Sequence, residues 1–250
     1  IMSKKIAAGA DAIVLDVKVG DGAFMKTEAD AVKLAETMVR IGNDVGRRTM
    51  AIISSMEEPL GYAVGNANEV KEAIDTLKGE GPEDLTELSL TLASQMAVAG
   101  GKAKDLDEAR EMLKAVIADG SALEKFKVFV NNQGGDGSLV DHPENLPQAE
   151  FHFEAVSEEE GYVEVIDAEN IGVAASILGA GRQTKEDEID LAVGVVLKKK
   201  VGDYVNKGDV LAEIAANTED VASVIEKIQD SYHFGSEQKQ TKLIKRIITK

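Results

Sequence analysis

The first 27 residues predict a helix, a buried strand and a glycine-rich loop in one short unit. Ala12 to Val19 (AIVLDVKV) is almost continuously apolar and rich in β-branched residues, which is typical of a strand buried on both faces. Apolar side chains at residues 1–7 have helical spacing, and Gly9 suits the position just after a helix. Gly20-Asp21-Gly22 follows the strand at its carboxyl end, where open α/β sheets bind ligands. This order predicts a site here, and we expect part of that site to lie upstream of residue 1.

The charge and the composition of the chain exclude several kinds of partner and of site. The 250 residues include 28 Lys and Arg and 45 Asp and Glu, so the formal net charge is −17. Nucleic acid and anionic membrane surfaces need clustered positive charge, and we expect neither as the main partner. The lack of cysteine excludes disulfides and thiolate metal sites. The apolar run at 191–197 is far too short to cross a bilayer.

Residues 1–147 alternate between predicted strands and predicted helices. Thr27 to Asp30 (TEAD) has capping-box spacing before a helical apolar pattern, and Met50 to Ile53 (MAII) predicts a second short strand. A further helix is predicted with Asn68 as its cap and Gly79 at its end. Alternation of this kind favours an α/β fold with a mostly parallel sheet.

The pattern changes after a turn-rich segment at residues 134–147. Gly161 to Ile166 alternates, and residues 192–214 contain two β runs around the sequence VGDYVNKGD. Lys242 to Lys250 alternates basic and apolar residues, as an edge strand does. We therefore predict two domains, one at 1–147 and a β-rich one at 151–250.

Lys4 and Lys5 are the first candidate ligand contacts. A lone lysine pair most often lies on a solvated helix face, and that alternative stays open. Lys4 has i, i+3 spacing to Ile1 and Ala7 and would lie toward the apolar stripe, whereas Lys5 would point about 100° away. Beside a glycine-rich loop, an inward lysine can meet an anionic ligand. The spacing therefore favours Lys4.

Other polar residues have structural interpretations. Asp16 and Lys18 share one face of the predicted strand, and we interpret Asp16 and Asp21 as structural rather than as an acid–base pair. The segment from Pro59 to Asn68 is most simply a strand-to-helix turn. The three histidines of the chain are too isolated to indicate a zinc site; they are His142, His152 and His233.

Two long stretches resemble one enzyme family. In thymidine and pyrimidine-nucleoside phosphorylases, the segment after the substrate-binding serine is similar to residues 4–27, KKIAAGADAIVLDVKVGDGAFMKT. A second family-like stretch is residues 54–74, SSMEEPLGYAVGNANEVKEAI. The resemblance covers essentially the whole chain and is closer to the pyrimidine-nucleoside phosphorylases of Gram-positive type. It implies an α/β catalytic domain with a mixed or parallel sheet, a remnant of a helical lobe at 1–9, and a C-terminal β-rich domain of barrel-sandwich or hammerhead-like type.

The resemblance also implies an activity, that of a glycosyltransferase of the pentosyl class. The family converts uridine, thymidine or deoxyuridine and phosphate reversibly to the free base and (deoxy)ribose 1-phosphate. An Arg, a Ser and a Lys hold the pyrimidine ring, and this Lys corresponds to Lys4. Phe24 corresponds to an apolar wall against the base. The Ser and the Arg would lie before Ile1.

A potassium ion is implied by the same resemblance. Its ligands here would be the backbone carbonyls of Leu60 and Ala63 and the carboxylate of Glu72, and oxygen ligands suit a hard cation. The family's other cation ligands come from its phosphate-binding loop, a KxSxG-type motif that does not occur in this chain. We therefore expect a C-terminal fragment that is inactive alone, from a cytoplasmic enzyme that forms homodimers.

Two alternatives remain open. Residues 198–209 (KKKVGDYVNKGD) also resemble half of a biotinyl- or lipoyl-type carrier domain, but the next lysine after this segment is Lys227. A structural module is therefore the favoured interpretation of this segment. The other alternative is a short, inactive paralogue of the phosphorylases.

Overall fold

The computed structural model describes residues 1–249, and its first part is built around a parallel strand pair. The elements are α1 (Met2–Ala7), β1 (Ala12–Val19), α2 (Glu28–Asp44) and β2 (Arg48–Ser55). β1 pairs with β2 along its full length, from Ala12 opposite Arg48 to Val19 opposite Ser55. α2 begins where the Thr27 hydroxyl accepts the N–H of Asp30 at 3.2 Å, and it packs on the odd-numbered residues of β1. The predicted strand and capping residue are confirmed.

A short strand and a layer of helices follow β2. Their bounds are β3 (Ala63–Gly65), α3 (Ala67–Leu77), α4 (Glu83–Ala99), α5 (Leu106–Ala118), α6 (Ser121–Asn132), α7 (Ser138–Asp141) and a 3₁₀ turn (Pro143–Asn145). The prediction that Asn68 caps α3 is wrong, because the helix begins directly after Asn66. The side-chain amide of Asn68 instead donates to the carbonyls of Val64 and Val195, both at 3.2 Å. It therefore ties β3 to a strand from the later part of the chain.

The later part of the chain supplies most strands and the largest apolar core. Its elements are β4 (Phe151–Val156), β5 (Gly161–Ile166), α8 (Ala168–Ile177), β6 (Gly194–Leu197), β7 (Tyr204–Val205), β8 (Val210–Ala216), α9 (Ala222–Asp230), β9 (Tyr232–Gly235) and β10 (Ile244–Ile248). All of these strands except β10 lie in two antiparallel sheets, β3-β6-β8-β4, which β3 joins from the earlier part, and β7-β5-β9. One core joins both sheets to α8 and α9 through fully buried side chains such as Ile166, Ile171, Ile214 and Ile228. The β-rich character is confirmed, whereas α8 was not predicted.

Two strand pairings cross the predicted domain boundary. β3 pairs with β6, and β10 pairs antiparallel with β2, so the first sheet has the order β1-β2-β10. The α/β class with a mixed sheet is confirmed, but the expectation of a mostly parallel sheet is wrong, because the end of the chain supplies an antiparallel edge strand. All three sheets are open, so no closed barrel forms within residues 1–249.

No helix within residues 1–249 is both long enough and apolar enough to cross a membrane.

Candidate functional site

The glycine-rich loop after β1 is fixed by backbone contacts on two sides. Gly20 has φ +131°, and a Cβ there would lie 2.7 Å from the backbone nitrogen of Glu57, so only glycine fits. The N–H of Gly22 donates to the carbonyl of Met56 at 2.9 Å. On the other side, the Asp21 carboxylate accepts the N–H of Glu169 in the first turn of α8 at 2.9 Å. The loop therefore has a single conformation, set by β2 and by the later domain together.

The side chain of Phe24, which follows this loop, is not covered by any other described residue. Its side chain is 99% exposed, although a lone phenylalanine is normally buried. It lines a cavity of about 710 Å³ along β1, together with Lys5 and Met56. An exposed aromatic ring beside a cavity of ligand size can form a wall against a flat ring.

The two lysines of α1 are oriented differently from the prediction. Met2 is buried and Ile6 is half-buried, so these two residues form the inward stripe, whereas Ile1 is 72% exposed. Lys4 is exposed, and Lys5 is the lysine that lines the cavity along β1. The prediction that Lys4 lies toward the apolar stripe is wrong, because Ile1 and Ala7 do not belong to that stripe.

Asp16 and Lys18 form an internal network at the carboxyl end of β1. Their side chains pair at 2.8 Å. The fully buried hydroxyl of Ser54 on β2 donates to Asp16 at 2.5 Å and accepts from Lys18 at 3.0 Å. The network joins β1 to β2 through side chains as well as through the backbone, and the three polar groups satisfy one another.

The carboxylate of Glu72 in α3 lies against the backbone from Gly61 to Ala63, directly after Leu60. Glu72 Oε1 accepts the N–H of Tyr62 at 2.9 Å and the N–H of Ala63 at 3.0 Å. A Cβ on Gly61, which has φ +68°, would lie 2.2 Å from Glu72 Oε2. The glycine thus lets the carboxylate approach the loop closely.

Burial raises the pKa of the Glu72 carboxyl, and nearby Asp84 and Glu69 add to this effect. The N–H groups of Tyr62 and Ala63 act in the opposite direction, because they stabilise the charged form. A cation beside the carboxylate would also favour the charged form. The environment of Glu72 thus opposes ionisation of the carboxyl mainly through burial.

Lys200 is a site residue that sequence reasoning missed. It lies between β6 and β7, and its ammonium donates to the carbonyls of Pro59 and Gly61, the latter at 3.0 Å. It also pairs with Asp84 at 3.1 Å and with Glu58 at 3.5 Å. The run Lys198-Lys199-Lys200 is visible in the sequence, but nothing local in it marks one lysine as the partner of a loop about 140 residues away.

The predicted residues occupy two places rather than one. Phe24 lies at the cavity along β1, whereas Leu60 lines a second cavity of about 320 Å³ with Lys200 and Asp84. Within residues 1–249, no group of three or more His, Cys, Asp or Glu side chains could hold a metal ion. A cation at the Glu72 loop would therefore depend on backbone carbonyls.

Comparison with known proteins covers most of the chain. Residues 1–123 match the family profile described as "Glycosyl transferase family, a/b domain". Residues 162–235 match the profile of the "Pyrimidine nucleoside phosphorylase C-terminal domain". The pyrimidine-nucleoside phosphorylase of Bacillus subtilis (strain 168) is 64% identical over 249 residues, which is 100% of this chain and 58% of that protein.

The chain belongs to the pyrimidine-nucleoside phosphorylase family. Proteins of the same name from Staphylococcus aureus strains USA300 and NCTC 8325 are 59% identical over 249 residues, again 100% of this chain and 58% of theirs. The chain therefore spans somewhat more than half the length of these curated phosphorylases. The resemblance seen in the sequence is confirmed, while the roles of individual residues remain predictions.

Proposed function

We propose that this chain forms part of a pyrimidine-nucleoside phosphorylase that transfers a pentosyl group from a pyrimidine base to phosphate. The observation that carries the proposal is the 64% identity to the Bacillus subtilis enzyme over 249 residues. In the reaction, the bond from C1′ of the sugar to the pyrimidine nitrogen breaks, and a bond from C1′ to a phosphate oxygen forms. The electron pair of the broken bond passes to the base. Phosphate is already a nucleophile, so the reaction needs no carboxylate base.

Lys4 and Phe24 are the proposed contacts to the base. A pyrimidine that leaves with the electron pair carries negative charge on its carbonyl oxygens. A fixed ammonium near those oxygens stabilises the charge as it develops, which lowers the barrier rather than merely binding the substrate. The exposed side chains of both residues are consistent with a surface that a nucleoside covers.

The loop at Leu60, Ala63 and Glu72 is the proposed potassium site. Its donors are two carbonyl oxygens and one carboxylate, the set that a hard cation prefers. Glu72 Oε1 already accepts two N–H groups, so Oε2 beside Gly61 is the oxygen available to a cation. Burial raises the pKa of Glu72, and a bound cation would offset this effect by favouring the charged carboxylate. When bound, potassium would supply a positive charge that holds this loop against α3.

The remaining details of the proposal rest on the family alone. We propose phosphate as co-substrate, uridine, thymidine or deoxyuridine as nucleosides, a homodimer as the assembly, and the cytoplasm as the location. We also propose two domains, at residues 1–147 and 151–250, which the β3–β6 and β2–β10 pairings join, and the second of which is related to the barrel-sandwich type. Lys198 and Lys199 pair with Glu213 and Asp209, which favours a structural role for this segment over a carrier lysine.

The test is phosphorolysis by the protein expressed from its native gene. We expect uridine or thymidine to be consumed only when phosphate is present, with one sugar 1-phosphate formed for each base released. Base release at the same rate without phosphate would indicate hydrolysis and would contradict the proposal. An intact mass that showed a biotin or lipoyl adduct would support the carrier alternative instead.

A further inference from the structure

Lys200 holds its ammonium against the loop that leads to the proposed potassium ligands. Only 14% of its side chain is exposed, which is low for a lysine. The ammonium contacts the carbonyls of Pro59 and Gly61, on either side of Leu60. It also lies 5.9 Å from the centre of the Tyr62 ring. One cation thus lies against three residues of the loop between β2 and β3.

The carboxylates around Lys200 contact the same loop from other elements. Asp84 on α4 accepts both the Lys200 ammonium and the N–H of Gly61, each at 3.1 Å. Glu58 accepts the N–H of Val201 at 3.0 Å. These acceptors surround the half-buried ammonium of Lys200 with oxygen atoms and compensate its positive charge.

The neighbouring lysines do not share this role. Lys198 pairs with Glu213 at 2.9 Å, and Lys199 pairs with Asp209 at 3.1 Å, both within the β-rich part of the chain. Lys200 alone of the three reaches the loop after β2. The contact therefore follows from its position after β6, not from the basic run as such.

We propose that Lys200 is the positioning residue that sets the potassium affinity of the Leu60–Ala63 loop. This inference rests on the proposed potassium site. The ammonium holds the carbonyls of Pro59 and Gly61, one residue to either side of Leu60. Its partner Asp84 accepts the Gly61 N–H of the peptide group that carries the Leu60 carbonyl. Together these contacts determine where the Leu60 carbonyl lies relative to Glu72. A segment of the β-rich domain thereby controls a cation site in the α/β domain.

Removing the ammonium should loosen this arrangement without touching the cation directly. In a Lys200→Met variant, two buried carbonyls lose their donor, and Glu58 and Asp84 are left without their shared cation. The Leu60 carbonyl is then free to move, so potassium binds an unorganised loop. We expect potassium affinity to fall by about 10- to 100-fold, the range seen when a partner outside the ligand shell is lost.

The experiment compares the wild type, Lys200→Met and Lys199→Met as products of the native gene. The first readout is the rise in melting temperature with added KCl, measured against tetramethylammonium chloride at equal ionic strength, because salt alone screens surface charges. The second readout is the potassium concentration that gives half-maximal phosphorolysis. Both potassium midpoints should rise in Lys200→Met and stay unchanged in Lys199→Met. At saturating potassium, the kcat of Lys200→Met should return to the wild-type value.

Each other outcome has a defined meaning. A potassium-responsive wild type with the same midpoints in Lys200→Met would overturn this inference and leave the potassium site standing. If potassium changes neither the melting temperature nor the phosphorolysis rate of the wild type, the potassium site and this inference are both overturned. The proposal of phosphorolysis would still stand. If Lys200→Met does not fold, Lys200→Arg decides, because a planar guanidinium cannot place one donor group against both carbonyls. Wild-type midpoints in that variant would contradict the inference, and raised midpoints would support it.

Discussion

The carboxylate of Glu72 accepts the backbone N–H of Ala63 at 3.0 Å, across nine positions of sequence. The same oxygen accepts the N–H of Tyr62, so α3 holds the loop after β2 through one side chain. Lys200 and Asp84 hold the preceding residues of that loop from two further elements. The loop is therefore preorganised by groups from both parts of the chain, which is what a weak cation site requires.

Glu72 should make stability depend on pH in a definite direction. Burial raises its pKa, so the native state binds the proton more tightly than the unfolded state does. Ionisation then opposes folding, and its cost appears as pH rises from the ordinary glutamate pKa through the raised value. Glu72→Gln keeps an acceptor for Tyr62 and Ala63 but carries no charge.

We expect Glu72→Gln to gain stability relative to the wild type as pH rises through this window in potassium-free buffer. Urea unfolding midpoints over about pH 4 to 8 measure the difference. Added potassium should reduce it, because the cation favours the ionised carboxylate of the wild type. Asp75→Asn on the same helix is the control, since Asp75 pairs with the largely exposed Lys71. A pH-independent difference would contradict this account of Glu72.

Gly61 and Gly46 require glycine for different reasons. Both have positive φ, +68° and +75°, but a Cβ at Gly46 meets open space, whereas one at Gly61 meets Glu72. Gly46→Ala should cost about 1–2 kcal/mol, the penalty for an L-residue in the left-handed region. Gly61→Ala should cost more, because it also displaces the carboxylate.

Melting temperature measures both glycine variants. Potassium should stabilise Gly46→Ala as it does the wild type, but it should stabilise Gly61→Ala less. Equal losses of stability with equal potassium responses would show that the contact between Gly61 and Glu72 has no effect on the site.

Tyr232 should stabilise the β-rich core through its hydroxyl. It is 4% exposed, and burial raises the pKa of its phenol, so the group stays neutral. The hydroxyl lies 3.0 Å from the carbonyl of Lys199 and 3.2 Å from that of Leu211. Tyr232→Phe removes this donor from the Lys199 carbonyl, whereas the Leu211 carbonyl keeps the N–H of Lys198, and the loss should cost about 1–3 kcal/mol.

The half-exposed Tyr204 provides the control for this variant. Tyr204→Phe should change the free energy of unfolding little, as measured by urea denaturation. A Tyr232→Phe variant as stable as Tyr204→Phe would contradict the structural role of the hydroxyl.

Local signals in the sequence predicted the local parts of the fold. β1 follows from eight nearly continuous apolar residues, and the start of α2 follows from Thr27 and Asp30, three positions apart. α8 escaped prediction because its outer face is apolar too: Val173 and Ile177 are about 40% exposed, so no polar face lies opposite the buried one. A helix of this kind has no amphipathic period to detect.

Local sequence patterns could not predict pairings between residues far apart in the chain. β3 has three residues and exists because it pairs with β6 about 130 positions later. β10 was predicted as an edge strand, but its partner β2 could not be named. The amide of Asn68 and the ammonium of Lys200 have partners 127 and 139 positions away, so no local pattern marks them.

The ligand roles of Leu60, Ala63 and Glu72 stay predictions from the family resemblance. The structure places the Glu72 carboxylate against the N–H groups of Tyr62 and Ala63. The orientation of α1 was predicted wrongly, because Ile1 and Met2 are both apolar neighbours and the spacing of Ile1 to Lys4 suggested the wrong stripe. Only the packing of Met2 and Ile6 decides between the two stripes.

The most direct test of the central claim compares Lys4→Met with Lys5→Met in the product of the native gene. If Lys4 stabilises the charge on the leaving pyrimidine, Lys4→Met should lower kcat for phosphorolysis by about 100-fold or more. Lys5→Met should leave kcat nearly unchanged, although Lys5 lines the cavity along β1. Circular dichroism should show both variants folded. Full turnover in Lys4→Met, or a loss in Lys5→Met alone, would contradict the assignment of Lys4 as the base contact.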